Sequence, residues 1–334
     1  MNLSHHTLCL IFRKQAPAYF SIERVFNRLA QYFAAEAKVT SVQVPFNRLL
    51  PLNFLHNLMA VRKVKADIYH VTGDIHYAVL GLPGRKTVLT IHDSVFMYRT
   101  KGLKKFILHW LYLKLPVWHS RIITTISEQS KKDIIRFTGC SPEKVVVIPN
   151  PIDEHIHFVE KPFISNKPVI LFLGSVPHKN LIRVIDALQD FDCTLDIVGR
   201  INPENLEKLK NSGLEYSISN GLSDAELAQK YVGCDIVLFP STFEGFGLPI
   251  IEGQKAGRVV ITSNLSPMKE VAGGGAKLVD PFDISDIRNA VEEVCRNASL
   301  RYTLIQKGFD NSRKFQAEEI ASQYSAVYNK ILVN

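Results

Sequence analysis

Two carboxylates flank a glycine-containing turn in the segment Ser241-Thr-Phe-Glu-Gly-Phe-Gly-Leu-Pro-Ile-Ile-Glu252. The apolar run before this segment predicts a short buried strand, and the pattern from Pro249 onward predicts a helix. Free N–H groups at the start of such a helix can hold an anion. Glu244 on the turn and Glu252 on the helix can both point into one cleft, where their oxygens accept hydrogen bonds from sugar hydroxyls. The combination is typical of a nucleotide-sugar site, whereas two acids without this turn would indicate only a solvated surface.

A second strand, loop and helix start lies in Val169-Ile-Leu-Phe-Leu-Gly-Ser-Val-Pro-His-Lys-Asn-Leu181. Gly174 permits a sharp exit from the strand, and Asn180 is expected to be the N-cap of the next helix. Lys179 lies at that helix N-terminus, where the helix dipole disfavours a cation. An anionic ligand would remove this conflict; the alternative is a lysine that simply reaches solvent.

Further candidates follow the predicted strands of the N-terminal half. In parallel sheets the carboxyl ends of the strands carry the ligand site. His92 follows a strand directly, so we expect it in the site, although a lone histidine is usually a half-buried structural residue. Asp74 and His76 follow another strand in a glycine turn and either meet an acceptor or only form the turn. Arg13 and Lys14 follow the first strand and could meet a phosphate of the acceptor.

Composition limits the class of protein. The 334 residues fit two domains of ordinary size, and 46% hydrophobic with 22% charged residues indicates a globular chain. A net charge of +8 suits nucleic acid, an anionic membrane or a phosphorylated substrate, but no motif of a nucleic-acid-binding fold is present. The five cysteines are scattered and predict reduced thiols. Neither a transmembrane run nor a signal-peptide pattern is found, so we expect a cytoplasmic protein.

The segment 101–118 mixes lysines with large apolar residues. It is too short and too charged to span a bilayer. A basic amphipathic helix can lie on an anionic membrane, and an ordinary helix with one face in the core fits the pattern equally well. If it contacts a membrane, the protein works at the inner face of that membrane, and its acceptor is lipid-linked or belongs to a membrane-associated pathway.

Apolar runs alternate with amphipathic ones along the chain, which predicts βα units and parallel sheets in two doubly wound α/β domains. The polar segment 154–167 predicts the linker between them. The last segment, 318–332, predicts an amphipathic helix. Strands are expected at 8–12, 38–44, 68–71, 87–91, 122–125, 145–148, 169–172, 194–198, 236–239 and 259–262, and helices at 22–35, 129–137, 180–188, 224–231 and 249–256.

The run Glu244-Gly-Phe-Gly-Leu-Pro-Ile-Ile-Glu252, followed by Ala256-Gly257, resembles the donor site of retaining GT-B glycosyltransferases, in particular glycosyltransferase family 4. The resemblance covers nearly the whole chain, with most of its specificity in the C-terminal half. It implies a GT-B fold, in which two Rossmann-like domains face a central cleft. The acceptor domain would comprise residues 1–155 and a C-terminal helix, 316–334, that crosses back to it; the donor domain would comprise residues 165–315.

The resemblance also implies roles for single residues. The loop at 174–180 is similar to the family's phosphate loop, whose lysine binds the donor pyrophosphate, so this role falls to Lys179. Glu252 would hold ribose hydroxyls, Glu244 the hydroxyls of the sugar, and His92 would lie near that sugar. Glu244, Lys179 and His92 are therefore the expected catalytic residues. Further expected donor contacts are Gly174, Ser175, Asn180, Gly199, Leu222, Gly245, Phe246, Gly247 and Leu248.

The sequence departs from the family pattern in two loops. Ser175 stands where many members have Arg or Thr, and His178 where many have Arg, so pyrophosphate binding would depend more on Lys179 and on the helix after Gly247. The loop 13–23 lacks the glycine-rich turn of many members, which leaves the acceptor open.

No Asp-x-Asp pair follows a strand and no Cys/His cluster has zinc spacing, so we expect metal-independent catalysis without a cofactor. By resemblance, a hexosyl unit of mannosyl or glucosyl type would pass with retention from a GDP- or UDP-linked sugar to a saccharide or lipid-linked acceptor in polysaccharide or glycolipid biosynthesis. Two alternatives are a GT-B synthase acting on a small soluble sugar phosphate and a non-catalytic nucleotide-sugar-binding scaffold. Loss of Glu244 or Lys179 would favour the scaffold, and both are present.

Overall fold

The computed structural model describes residues 5–14, 21–47 and 50–333, so residues 15–20 of the first loop lie outside the described parts. The contacts divide the chain into two compact units. The first contains residues 1–151 and 317–334, and the second contains residues 152–316.

The first unit alternates strands with helices. Its strands are β1 (Thr7–Phe12), β2 (Lys38–Gln43), β3 (Ile68–Val71), β4 (Thr87–Ile91), β5 (Ile122–Thr125) and β6 (Val145–Val147), and they pair in parallel in the order β2-β1-β3-β4-β5-β6. Its helices up to this point are α1 (Ser21–Ala34), α2 (Pro51–Arg62), α3 (Phe96–Arg99), α4 (Gly102–Leu108), α5 (Leu115–His119) and α6 (Glu128–Thr138). The residues His109–Lys114 join α4 to α5 as a π-helical segment.

Alternate side chains of the first sheet enter two different cores, as the two-residue period of a strand requires. On β1, Leu8 and Leu10 pack with α1, whereas Cys9 and Ile11 pack on the other face with residues of α2, α5 and α6. The strands β3, β4 and β5 are buried along their whole length. Helices on both faces therefore explain why these strands appear in the sequence as continuous apolar runs.

The second unit repeats the pattern. Its strands are β7 (Val169–Leu173), β8 (Thr194–Val198), β9 (Glu215–Ser219), β10 (Ile236–Phe239), β11 (Val259–Ser263) and β12 (Lys277–Val279), in the parallel order β12-β11-β10-β7-β8-β9. Its helices are α7 (Leu181–Leu188), α8 (Pro203–Asn211), α9 (Asp224–Gly233), α10 (Leu248–Lys255), α11 (Met268–Ala272), α12 (Ile284–Arg296) and α13 (Ala298–Ser312).

The C-terminal helix α14 (Ala317–Leu332) belongs to the first unit. It packs against the same face of the first sheet as α1, and its apolar face is buried as predicted. The two doubly wound α/β units confirm the fold class. The segment predicted as a linker packs onto the second unit instead, because Arg258 donates a hydrogen bond to the Val159 carbonyl and Phe158 lies against Gly257.

Among the described residues, no helix combines the length and the apolarity that crossing a bilayer requires. The segment 101–118, predicted as one amphipathic stretch, forms α4, the π-helical segment and most of α5.

Candidate functional site

The strand order of the second unit brings its two sequence motifs together. β7 pairs with β10 although β8 and β9 lie between them in sequence, so the strand order reverses at this point. Open α/β sheets bind ligands at such a switch point, beyond the carboxyl ends of the strands. Lys179 follows β7 and Glu244 follows β10, and the Lys179 Nζ lies 2.7 Å from Glu244 Oε1. The cation and the carboxylate that the sequence placed in separate loops thus form an ion pair.

The surroundings of Lys179 fix its side chain. Gly174 has a φ of 95°, and a Cβ there would lie 2.8 Å from Lys179 Cγ, so only glycine leaves room for the lysine stem. The ammonium also lies 4.5 Å from the ring centroid of buried Phe239, a favourable cation–π contact. The Lys179 and Glu244 side chains are only 18% and 13% exposed. Glu244 therefore resolves the conflict with the helix dipole that we expected an anionic ligand to resolve.

Asn180 holds the loops around this pair together. Its predicted role as a side-chain N-cap is wrong: it precedes α7, but its φ is 73° and its side chain makes no capping hydrogen bond. The Asn180 Nδ2 instead donates to the carbonyls of Pro240 and Pro281, at 3.0 and 2.6 Å. Its Oδ1 accepts a hydrogen bond from Arg183. The amide is thus committed to the loops that follow β7, β10 and β12.

The turn before α10 is fixed at both ends. At its start, the Thr242 N–H donates to the His178 carbonyl at 2.8 Å. At its end, Gly247 is the N-cap of α10, which begins at Leu248, one residue before the predicted start. Pro249 has no N–H, and the Ile250 N–H donates back to the Gly247 carbonyl. Neither Pro249 nor Ile250 therefore offers a free N–H to an anion at the start of α10.

Glu252 lies on α10 and is almost completely buried. Its Oε2 accepts a hydrogen bond of 2.6 Å from the hydroxyl of Tyr231 on α9. Burial, and then the charge of Glu252, raise the pKa of Tyr231 well above its usual value, so the phenol stays protonated and donates. Glu244 and Glu252 therefore bond to different partners, and their convergence on one ligand stays a prediction.

The other predicted donor residues lie beyond the second sheet, in its loops and at the first residue of α10. Those that are half-buried are Ser175, Gly199, Leu222, Gly245 and Leu248. A Cβ on Gly199 would lie 3.3 Å from the carbonyl carbon of Gly174, so the ends of β7 and β8 approach closely. Phe246 is different, because its ring is buried against Phe315 with centroids 5.8 Å apart. The donor contact predicted for Phe246 therefore falls to its backbone and stays a prediction.

The first sheet has a switch point of its own, between β1 and β3. Arg13 follows β1, and its guanidinium donates to Glu23 Oε1 at 2.7 Å and to Asp74 Oδ2. Asp74 follows β3 with a φ of 53°, and the Tyr112 hydroxyl donates to its carbonyl. Lys14 is exposed. The structure thus brings Arg13 and Asp74 together, and an acceptor phosphate at Arg13 would compete with two carboxylates.

His92 follows β4 beside this cluster. Its ring lies over Gly73, where a Cβ would be 2.7 Å from His92 Cδ2, and its Nε2 donates to the Thr72 carbonyl at 3.0 Å. Burial lowers the pKa of His92, so the imidazole is neutral at pH 7 and its Nδ1 can accept a hydrogen bond. His76 is buried and donates from Nδ1 to the Tyr112 carbonyl, which gives it a structural contact within the first unit.

Sequence reasoning missed two polar residues of these sites, Tyr231 and Glu23. Both are buried, and each bonds to a partner in another loop or element, so no local spacing reveals them. Within the described parts of the chain, no group of three or more His, Cys, Asp or Glu side chains is arranged to hold a metal ion.

Two protein-family models match the chain in succession. The model of Glycosyltransferase Family 4 matches residues 16–155, and that of Glycosyl transferases group 1 matches residues 153–310. Together they cover both units except the two ends of the chain.

Relatives and solved structures agree with these matches. The chain is 24% identical over 308 residues to the MMP alpha-(1->4)-mannosyltransferase of Mycolicibacterium hassiacum. The matched region covers 82% of this chain and 73% of that protein. It is 25% identical over 257 residues to the serotype-specific mannosyltransferase WbdA of Escherichia coli, covering 69% of this chain but only 32% of that longer protein. The crystal structure of Anabaena HepE in complex with UDP and glucose has a TM-score of 0.77 at 16% identity and covers 98% of this chain and 100% of HepE.

The two parallel six-stranded sheets, the paired loops at their switch points and these matches define a GT-B glycosyltransferase, an enzyme of the class that builds glycans. More particularly, the chain belongs to glycosyltransferase family 4. The family and fold predicted from the Glu244-to-Glu252 motif are thereby confirmed. The relatives favour glycan synthesis over the alternatives of a small-molecule synthase and a non-catalytic scaffold.

Proposed function

We propose that this enzyme moves a hexosyl unit of mannosyl or glucosyl type from a nucleoside-diphosphate sugar to a saccharide or lipid-linked acceptor in polysaccharide or glycolipid biosynthesis. The observation that carries the proposal is the shielded Lys179–Glu244 ion pair at the switch point of the second sheet. Relatives named as mannosyltransferases support a mannosyl donor, and HepE with UDP and glucose supports a glucosyl one. GDP and UDP sugars are therefore both candidate donors.

In this proposal, binding of the donor separates Lys179 from Glu244 and gives each of them a new partner on the donor. The pyrophosphate takes the place of Glu244 beside Lys179, which then stabilises the charge that develops on the leaving diphosphate. The released Glu244 carboxylate accepts hydrogen bonds from hydroxyls of the sugar, and Glu252 accepts those of the ribose. Neutral His92 adds an acceptor near the sugar through its Nδ1. No side chain is assigned as a general base, because the donor phosphate can accept the proton of the acceptor hydroxyl.

Isothermal titration of the protein with GDP- and UDP-linked sugars tests the donor site. We expect one nucleotide class to bind tightly, and Lys179→Ala and Glu252→Ala each to weaken binding by more than tenfold, since each removes a charged hydrogen-bonding group. Lys161→Ala is a matched control, because Lys161 pairs with Asp235 at the amino ends of the strands, opposite the donor loops, and is 21% exposed. Unchanged binding in Lys179→Ala, or no binding by the wild type, would overturn the donor site.

We also propose that the anomeric configuration is retained and that no metal takes part. The one-bond C1–H1 coupling constant of the transferred sugar reports the first point for mannosyl and glucosyl units alike. The product is expected to have the anomeric configuration of the donor sugar, and the opposite anomer would contradict retention. Full activity after treatment with EDTA is the result expected for the second, and activity restored only by a divalent cation would contradict it.

We further propose a peripheral contact with the inner face of a membrane through the segment 101–118 and through α2 of the same unit. No residue of α4 is buried, and Leu103, Phe106 and Ile107 are 73%, 60% and 41% exposed. On α2, an apolar stripe is equally uncovered, at Leu52, Leu55 and Met59. Exposed apolar side chains at helical spacing are typical of an interfacial helix.

The charge distribution supports an anionic surface as the partner. The residues of the first unit include 22 Lys and Arg against 10 Asp and Glu, a net charge of +12, whereas the second unit has 18 against 22, a net charge of −4. The positive charge is thus concentrated in the unit that carries the exposed stripes. Cytoplasmic leaflets rich in anionic lipid attract such a surface.

A further inference from the structure

We infer that Tyr231 is a positioning residue that makes the donor site selective for ribose. It acts through Glu252, and the inference rests on the proposed role of Glu252 as the acceptor for the ribose hydroxyls. Tyr231 itself touches no substrate in this scheme, because its hydroxyl is used by the carboxylate.

The contact between the two residues is short and buried. The Tyr231 hydroxyl donates to Glu252 Oε2 at 2.6 Å, with the tyrosine completely buried and the glutamate 8% exposed. A carboxylate has lone pairs for about four hydrogen bonds. The bond from Tyr231 restrains the carboxylate and occupies one of these positions, and the inference requires two others for neighbouring hydroxyls of a ribose.

Tyr231 can act in this way because it is held rigidly itself. Its carbonyl accepts a hydrogen bond of 3.1 Å from the Nε of buried Arg258, whose Nη2 also donates to the Val159 carbonyl. The ring is enclosed on every side, with none of its surface exposed. A tyrosine that is held at its backbone and enclosed around its ring restricts the orientation of the carboxylate before the ligand arrives, and such preorganisation lowers the entropic cost of binding.

A purely structural hydrogen bond would stabilise the fold but would not change the preference of the site for a ribose with both hydroxyls. The discriminating measurement is therefore a ratio: the affinity for the nucleoside diphosphate that the enzyme prefers, divided by the affinity for its 2′,3′-dideoxy analogue. In the wild type we expect a ratio of roughly tenfold or more, because the analogue lacks the two hydroxyls that would donate to the Glu252 carboxylate. In Tyr231→Phe we expect the ratio to fall to about threefold or less.

Tyr328→Phe is the matched control. Tyr328 is also completely buried, and its hydroxyl also makes one short side-chain contact, 2.7 Å from His70 Nδ1, but it lies in the first unit. Both variants keep the ring and its volume, so a comparable change in melting temperature is expected, with the ratio lowered only in Tyr231→Phe. In a Glu252→Ala background, adding Tyr231→Phe should leave the ratio unchanged.

Steady-state kinetics give a second readout. Because the ribose is remote from the reacting carbon, Tyr231→Phe should raise KM for the donor severalfold with kcat nearly unchanged, the pattern of lost uniform binding. An unchanged ratio in a folded Tyr231→Phe protein overturns the inference and leaves the donor site intact. Failure of the wild type to bind either nucleotide overturns the proposed function itself.

Discussion

At the scale of single residues, the donor loops are joined by one buried amide. Asn180 adopts left-handed backbone angles, which cost about 1 kcal/mol or more for a residue with a Cβ. The hydrogen bonds to the carbonyls of Pro240 and Pro281 offset this cost, because both acceptors would otherwise be desolvated without a partner. The position of Lys179, one residue earlier, therefore depends on the side chain of Asn180.

Two substitutions separate these contributions. Asn180→Ala loses both hydrogen bonds and keeps the backbone strain, so we expect the free energy of unfolding to fall by about 2–4 kcal/mol. Asn180→Gly loses the same bonds but relieves the strain, so it should be more stable than Asn180→Ala by about 1 kcal/mol. Urea unfolding measures both values. Equal stability of the two variants would show that the left-handed backbone carries no strain.

The residue types in the two motifs were sufficient to predict Lys179 and Glu244 as members of one site, but not to predict that they pair. Their contact depends on β7 and β10 being neighbours, and nothing within either motif specifies that. The cap predicted at Asn180 failed for a related reason. Asparagine favours both N-caps and left-handed backbone, and the carbonyls that decide between them come from remote loops.

At the scale of elements, most of the predicted strands have continuous apolar runs, and β2, an edge strand without such a run, was predicted as well. The strands that the sequence did not reveal, β9 and β12, lie at the two edges of the second sheet. β9 alternates exposed and half-buried residues, and β12 has three residues. An edge strand is covered on fewer sides than a central one, so its sequence lacks the apolar run by which a parallel strand is recognised.

The helix α14 is attached to the first sheet by a buried polar group. His70 on β3 lies 2.7 Å from the Tyr328 hydroxyl on α14 through Nδ1 and 2.7 Å from Thr90 Oγ1 through Nε2. Burial, and then the nearby His92, lower the pKa of His70 to about 3. Between pH 6.5 and about pH 3, the imidazole therefore stays neutral in the folded protein, whereas the unfolded chain protonates it.

This predicts acid destabilisation of the first unit. Above pH 6.5 His70 is neutral in both the folded and the unfolded state, so it does not lower the free energy of unfolding. Below pH 6.5 the unfolded state binds a proton at His70 that the folded state does not bind. Stability should fall by up to about 1.4 kcal/mol for each pH unit as the pH drops from 6.5 towards 3. Unfolding by urea at pH 6.5 and 5.5 measures the slope. His70→Gln should lose about 1 kcal/mol less over this interval, and an equal slope in both proteins would refute the assignment.

At the scale of the whole molecule, the net charge of +8 conceals two opposite balances, +12 in the first unit and −4 in the second. The net charge of the whole chain follows from its composition. The net charge of each unit can be counted only once residues 317–334 are known to belong with residues 1–151. The same holds for the exposed apolar stripes. Lysines among apolar residues fit a buried helix or a surface one, and only the exposure of α4 decides between them.

Because the positive charge is concentrated in the first unit, membrane binding should depend on the lipid charge, on the salt concentration and on the lysines of that unit. We expect the protein to sediment with vesicles that contain phosphatidylglycerol but not with pure phosphatidylcholine, and to be released when salt is raised from about 50 to 500 mM, since screening shortens the range of the attraction. Each lysine near an anionic surface contributes about 1 kcal/mol. Replacing Lys101, Lys104 and Lys105 by Gln should therefore weaken vesicle binding at low salt by about 100-fold.

The control applies the same change of net charge to the other unit, where Lys210, Lys269 and Lys307 are exposed. Their replacement by Gln makes that unit more negative by three charges, yet it should leave vesicle binding within about twofold, because these lysines lie in the unit without the stripes. An equal loss in both triple variants would mean that only the total charge matters. If neither variant differs from the wild type, α4 is an ordinary exposed helix, and the acceptor reaches the enzyme without a docked membrane.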